Sequence, residues 1–253
     1  MNPKRLVTYL IITFGITWSF WIINALVVKY TPLNQSDLLS IILLLLGGFG
    51  PTIAACLTLE QGFSWKKLIA FLSTYNNRGL CYLLVFALVE ISFFALVSDG
   101  IRSSIPRSPM AVIICIIIFI QATLLFGGNE ELGWRGIMQP ILMKKLPRVL
   151  VPLLIGGIWV LWHIPLWFIE GNSHQSMSFI SFAVFGIALS YWLSALFEAT
   201  DSVICSMIFH GLTNTLMGVF VFNHSPLFWL LAILLTLMSI VFIQFIRNSM
   251  NNQ

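Results

Sequence analysis

Eight stretches of about twenty residues each carry between them a single formal charge, Glu90: Leu6 to Val28, Leu38 to Leu59, Leu80 to Ser98, Pro109 to Phe126, Val149 to Ile169, Ser178 to Phe197, Val203 to Phe222 and Pro226 to Ile246. A helix rising 1.5 Å per residue crosses a hydrocarbon core of about 30 Å in about 20 residues, so each stretch is long enough to span a bilayer. Backbone N–H and C=O groups in lipid must be satisfied internally, which leaves helices as the form for apolar runs of this length. Soluble chains carry roughly 25% charged residues, whereas this one has 9% and is 58% hydrophobic, too few charges to cover a water-facing surface. The expectation is an all-α polytopic membrane protein, a bundle of about eight transmembrane helices forming a single transmembrane domain over residues 1–253. The first run exceeds the roughly 7 to 15 apolar residues of a cleaved signal peptide and is expected to be retained. Cys56, Cys81, Cys115 and Cys205 all fall in or beside apolar runs and read as small buried hydrophobes.

Positive charge orients such a bundle, because Lys and Arg stay on the cytoplasmic side far more often than they are translocated. With the N-terminus inside, the inner segments collect nine cations, namely Lys4, Arg5, Lys66, Lys67, Arg78, Lys144, Lys145, Arg148 and Arg247, against Lys29, Arg102 and Arg107 outside. Both termini are therefore expected in the cytoplasm, in a multi-pass protein of the cell membrane whose charge serves topology rather than nucleic-acid binding. No loop exceeds about twenty residues, so function is sought within the bundle or at its faces. The absence of organelle signals fits a compact bacterial plasma-membrane protein.

An ionisable side chain at helix depth costs about 2.5 to 3.5 kcal/mol on insertion scales, so each one needs a reason. The candidates are Glu90, the cluster Glu130, Glu131 and Arg135, His163, and His210 with Asn214. Glu131 and Arg135 are four residues apart and share a helix face, where acid and base neutralise each other. Glu130 points about 100° away and has no in-register ionic partner, so it is free to face a cavity. His210 and Asn214 also share a face. Taken singly, these are a juxtamembrane ion pair, a packing histidine in the Trp-rich run Trp159 to Trp167, and helix-to-helix hydrogen bonding. Together, a carboxylate, two imidazoles and an amide are the parts needed to activate water and to stabilise an oxyanion, and amide hydrolysis is the chemistry they fit. Glu90 is read as a buried carboxylic acid hydrogen-bonded to a neighbour, and His174 and His224 as solvated outer-loop residues.

Other intramembrane hydrolase designs lack their parts. Asp37, Asp99 and Asp201 fall in loops or at span ends, no His-Glu-x-x-His helix occurs, and there is no Gly-x-Ser-x-Gly elbow.

Three ordered elements, Glu130-Glu131-x-x-x-Arg135, Trp159-x-x-x-His163 and His210-x-x-x-Asn214, resemble the CAAX prenyl protease and bacteriocin-processing family of intramembrane proteases, also called the Abi family, over roughly residues 120–220. The resemblance implies an intramembrane endopeptidase that hydrolyses a membrane-associated peptide or protein by glutamate-activated water. It makes Glu130 the general base and gives His163 the positioning and activation of the water. His210 and Asn214 become the oxyanion hole, with Glu131 and Arg135 as support. The family's second motif usually begins with Phe, so Trp159 is a departure that bears on pocket shape. The family was long described as metalloproteases, and Glu130, His163 and His210 are zinc-type ligands. A mechanism without cofactor is preferred, because Asn is a poor zinc ligand and an apt oxyanion donor. Peptide maturation or bacteriocin self-immunity is expected ahead of prenylated substrates. A transporter or channel, with Gly47-Gly48 and Gly127-Gly128 as paired helix breaks, and a non-catalytic immunity protein on the same fold are the alternatives.

The charge asymmetry makes a direct prediction. Reporter fusions after Gln253 and within Lys144 to Arg148 read cytoplasmic, and one within Gly171 to Gln175 reads external. An external C-terminus means that a span has been miscounted.

Overall fold

The computed structural model describes residues 3–59, 62–74, 78–221 and 225–251, and within them the chain is almost wholly helical. Helix α1 (Pro3–Tyr30) is followed by α2 (Leu38–Gly48) and α3 (Gly50–Leu57), then by the short α4 (Trp65–Leu72) and by α5 (Gly79–Val97). A two-residue strand β1 (Gly100–Ile101) leads to α6 (Met110–Leu124), beyond which the path changes to short pieces: α7 (Glu131–Gly133), a π turn over Trp134–Met138 and α8 (Gln139–Met143). Helices α9 (Val151–Trp162), α10 (Phe179–Thr200) and α11 (Val203–Val219) follow, then β2 (Phe220–Val221), antiparallel to β1, and α12 (Pro226–Asn251).

Six helical stretches are by themselves long and apolar enough to cross a bilayer, fewer than the eight expected from composition. The other two runs are present in altered form. The second is broken at Phe49 into α2 and α3, which bend by 42°. The seventh, α11, has 17 residues, about 25 Å at 1.5 Å per residue, because the chain turns extended at Phe220 to pair with β1.

The bend at Phe49 has a visible cause. A Cβ on Gly47 would overlap the Trp21 ring and one on Gly50 would overlap the Thr17 hydroxyl, so the glycines let α1 approach closely. Polar side chains then take carbonyls around the break: Thr17 donates to Gly47 O at 2.7 Å, Trp21 to Leu44 O at 3.0 Å and Asn129 to Gly48 O at 3.3 Å.

Two aromatic-rich cores flank the middle of the bundle. One gathers Tyr9, Trp21, Trp134, Ile155 and Trp162 from α1 and the α7 to α9 region, the other Phe93, Phe94, Trp192, Phe209 and Phe228 from α5, α10, α11 and α12. Helix α10 is the central post, with 67% of its span buried against 22% for α12. Helix α4, which composition alone left as loop, begins at a Ser64 cap accepting from Lys67 N at 3.2 Å and lays Phe71 where a Cβ on Gly136 would be.

Gly133 is the tightest joint between α1 and the polar segment. A Cβ there would overlap the Tyr9 hydroxyl and lie 2.8 Å from Pro51 O, whereas one on Gly157 would meet nothing within 4 Å. Overpacking of this kind costs about 1 to 3 kcal/mol. Gly133→Ala therefore lowers the thermal midpoint in detergent, and Gly157→Ala leaves it unchanged or raises it. Equal midpoints for the two variants would show that Tyr9 yields without cost.

Candidate active site

The polar segment begins where α6 stops. Gly127 has φ of +121°, a backbone state that L side chains rarely adopt, and a Cβ on it would overlap the Asn214 amide and stand 3.0 Å from His210 Nε2. Only glycine fits the turn and the space together. Gly128 is equally confined, since its Cβ would press on Thr123 O and lie 2.6 Å from Met207 O. The break thus brings the start of the Glu130-Glu131 turn against α11. The π turn that follows swings Arg135 toward α10; such bulges within helices are common at functional sites.

Glu131 is fully buried and sits between two cations or potential cations. Arg135 Nη1 lies 3.0 Å from its Oε2, and His210 Nδ1 lies 2.7 Å from its Oε1. Arg135 also donates through Nη2 to Ser190 O at 3.2 Å and to Ser190 Oγ at 3.1 Å, while Ser190 donates to Pro152 O at 2.9 Å. One carboxylate therefore connects the polar segment, α11, α10 and α9.

Glu130 faces the other way, as the helix period requires, and is not without a partner. Its Oε2 accepts from Trp159 Nε1 at 2.7 Å and from Trp134 Nε1 at 3.3 Å. Both donors hold one carboxylate oxygen and leave Oε1 uncommitted among the described residues. Trp134 follows Glu130 by four residues, so this partner was visible as a helical spacing, whereas the link to Trp159 spans 29 residues. The departure from Phe at position 159 is thus a hydrogen bond to Glu130, and not pocket shape alone.

His163 follows the last residue of α9, where Pro165 cannot continue the ladder of N–H donors and the chain tightens into a short 3-10 turn over Ile164–Phe168. Trp18 Nε1 donates to Trp162 O at 3.1 Å, which fixes this end against α1. The His163 Nδ1 lies 2.8 Å from Trp159 O, and because a carbonyl only accepts, Nδ1 carries the proton and Nε2 is left as the free ring nitrogen. The same reasoning protonates His210 Nδ1 toward Glu131. The Trp159 ring lies between the two imidazoles, with centroids 4.2 Å from His163 and 6.0 Å from His210. Asn214 is half-exposed and gives one amide hydrogen to Phe126 O at 2.7 Å, which leaves its second hydrogen free.

One sequence expectation changes here. His174 is not a solvated loop residue: its ring stacks on His163 at 6.0 Å, packs against Trp167 and Phe182, and bonds to Asn172 Oδ1 at 2.8 Å. Burial holds its imidazole down at about 4, so it is neutral near pH 7. His224 lies outside the described residues. Glu90 stands apart from the cluster on α5, in contact with the Thr213 hydroxyl of α11.

A zinc site would need Glu130, His163 and His210 to converge, but among the described residues no three His, Cys, Asp or Glu side chains come close enough to hold a metal ion.

A family profile described as type II CAAX prenyl endopeptidase Rce1-like matches residues 109–216. A relative named CAAX prenyl protease 2, from Methanococcus maripaludis, is 26% identical over 239 residues, covering 84% of this chain and 83% of its own.

Removing one member of a buried ion pair strands the other and costs about 3 to 5 kcal/mol. Arg135→Ala accordingly destabilises the fold on that scale, and Glu131→Gln destabilises it while also loosening His210. Thermal unfolding in detergent reads both. Wild-type stability in Arg135→Ala would mean that the Glu131 charge is held by His210 alone.

Proposed function

We propose that this chain is an intramembrane protease of the CAAX prenyl protease and bacteriocin-processing family, and that it cleaves a membrane-associated peptide with a water molecule activated by Glu130. As an intramembrane peptidase it must carry water and a scissile amide into a helical bundle. The observation that carries the reading is the one-sided grip on Glu130: two indole N–H groups hold Oε2, so Oε1 is the oxygen available to take a proton.

In this reading His163 accepts a hydrogen bond from the water through its free Nε2 and orients the attack. Glu130 removes one water proton as the oxygen bonds to the amide carbon. The developing oxyanion is met by the free N–H of Asn214 and by His210 Nε2–H. For His210 to donate there it must hold protons on both nitrogens, with Glu131 accepting from Nδ1 at 2.7 Å. As the C–N bond breaks, Glu130 passes its proton to the leaving amine, so acyl and amine products share the elements of one water.

Depth limits the substrate. His163 follows the twelve residues of α9, about 18 Å from Val151, and His210 is the eighth residue of α11, about 10 Å from Val203. Both helix starts are at the end bearing Lys144, Lys145 and Arg148, where Arg148 pairs with Glu198 at 3.0 Å. The scissile bond is then reached near the middle of a core about 30 Å thick, by a peptide whose cut end is itself apolar. A prenylated C-terminus, the substrate class named for the Methanococcus maripaludis relative, and the apolar segment of a peptide precursor or bacteriocin both meet that demand.

The test uses protein in liposomes with quenched fluorescent peptides of two kinds, one farnesylated near its C-terminus and one with an apolar helical tail. General-base and oxyanion contributions are each about 10² to 10⁴ in rate. Glu130→Gln therefore loses detectable turnover and Asn214→Ala is slow but measurable, while chelation to verified metal-free protein leaves the wild-type rate unchanged. Near wild-type cleavage by Glu130→Gln would falsify the mechanism, and activity that vanished with chelation and returned only with zinc would replace it with a metal-dependent one.

A further inference from the structure

Glu90 is a buried acid that the proposed chemistry does not use. It lies on α5 with 1% of its surface exposed, and its carboxyl meets the hydroxyl of Thr213 on α11. Thr213 stands between His210 and Asn214 in sequence, pointing about 100° away from Asn214 around the helix. It therefore reaches α5 while the site residues face Gly127.

Proton counting constrains the contact. The Thr213 hydroxyl is also 3.2 Å from Phe209 O, one turn back on its own helix. A hydroxyl has one proton and a carbonyl has none to give, so a chain in which the acid donates to Thr213 and Thr213 donates to Phe209 O uses each proton once. The second Glu90 oxygen has no partner among the described residues, which a neutral acid tolerates far better than a carboxylate in hydrocarbon.

The other side of α11 is fixed sterically. A Cβ on Gly211 would overlap the Thr123 hydroxyl and lie 2.8 Å from Thr123 Cα, so α11 sits hard against α6 there. Contact at Gly211 sets how near the helices come. It does not set how α11 is rotated about its own axis, and rotation decides where His210 and Asn214 point.

We propose that Glu90 is a positioning residue: as a neutral acid it ties α11 to α5 through Thr213 and fixes the rotation at which His210 and Asn214 meet Gly127. The role in turnover rests on the activity proposed above, whereas the tether itself is testable without it.

Two readouts separate these. A cysteine pair at Ile118 and Gly218, in a background without Cys56, Cys81, Cys115 and Cys205, reports the seating of α11 on α6, since a Cβ on Gly218 would lie 3.9 Å from the Ile118 side chain. Glu90→Leu and Thr213→Val each change the oxidative cross-linking rate several-fold, and Glu90→Gln, whose amide can still donate to Thr213, does not. In the peptide assay the first two lower kcat about ten-fold with KM unchanged, a loss typical of misplaced catalytic groups. The double variant is no worse than either single one, because both break one link. Should Glu90→Leu fail to fold, Thr213→Val, which leaves the acid in place, carries the test. Unchanged cross-linking and kcat in Thr213→Val, additive losses in the double variant, or a Glu90→Gln as impaired as Glu90→Leu each overturn the proposal. A wild type that cuts neither peptide while the cross-linking pattern holds overturns the proposed activity and leaves the tether standing.

Discussion

A carboxylate shut away from water is the constraint around which this bundle is arranged. Glu131 is fully buried, and an unpaired charge there would cost several kcal/mol, so Arg135 and His210 must both be brought to it. Bringing them requires much else. Arg135 needs Ser190 to accept from its Nη2, which fixes α10. His210 needs α11 to approach the polar segment, which requires the break at Gly127. The electrostatic demand of one side chain thus sets the relative placement of the polar segment, α10 and α11.

Glu130 gains its distinct environment from the same arrangement. Adjacent residues on a helix diverge by about 100°, so burying one carboxylate among cations turns its neighbour toward the aromatic side, where two indole N–H groups hold it. Two chemically identical side chains, one residue apart, are thereby given different surroundings: a charged one for Glu131 and a neutral hydrogen-bonded one for Glu130. The division follows from helix geometry and needs no further device.

Local signals in the sequence carried far, and long-range ones did not. The apolar runs mark every membrane segment, because length and lack of charge are properties of a continuous stretch. The spacing of Glu131 and Arg135 announces their pairing for the same reason, and Trp134 could have been found as the partner of Glu130 by the same rule. The Glu131 to His210 contact crosses 79 residues, Trp159 reaches Glu130 across 29, and Thr213 meets Glu90 across 123. No periodicity encodes those. Composition also overstated the number of uninterrupted spans, since an apolar run does not reveal that Phe49 interrupts it or that Phe220 leaves the helix for a strand. His174 was misread because a polar residue in a short loop looks solvated until the aromatic wall beside it is known.

The four glycines at positions 127, 128, 133 and 136 lie within ten residues, and at each a single added carbon would run into Asn214, the Thr123 carbonyl, Tyr9 or Phe71 respectively. Steric exclusion therefore freezes this stretch as firmly as chemistry does. In a saturation-mutagenesis map it would stand out as an unbroken intolerant block, and intolerance there would not distinguish groups that act on a substrate from those that merely leave room. Assigning roles within the block needs substitutions that alter chemistry at constant volume, of which the two adjacent glutamates admit one each and the glycines admit none.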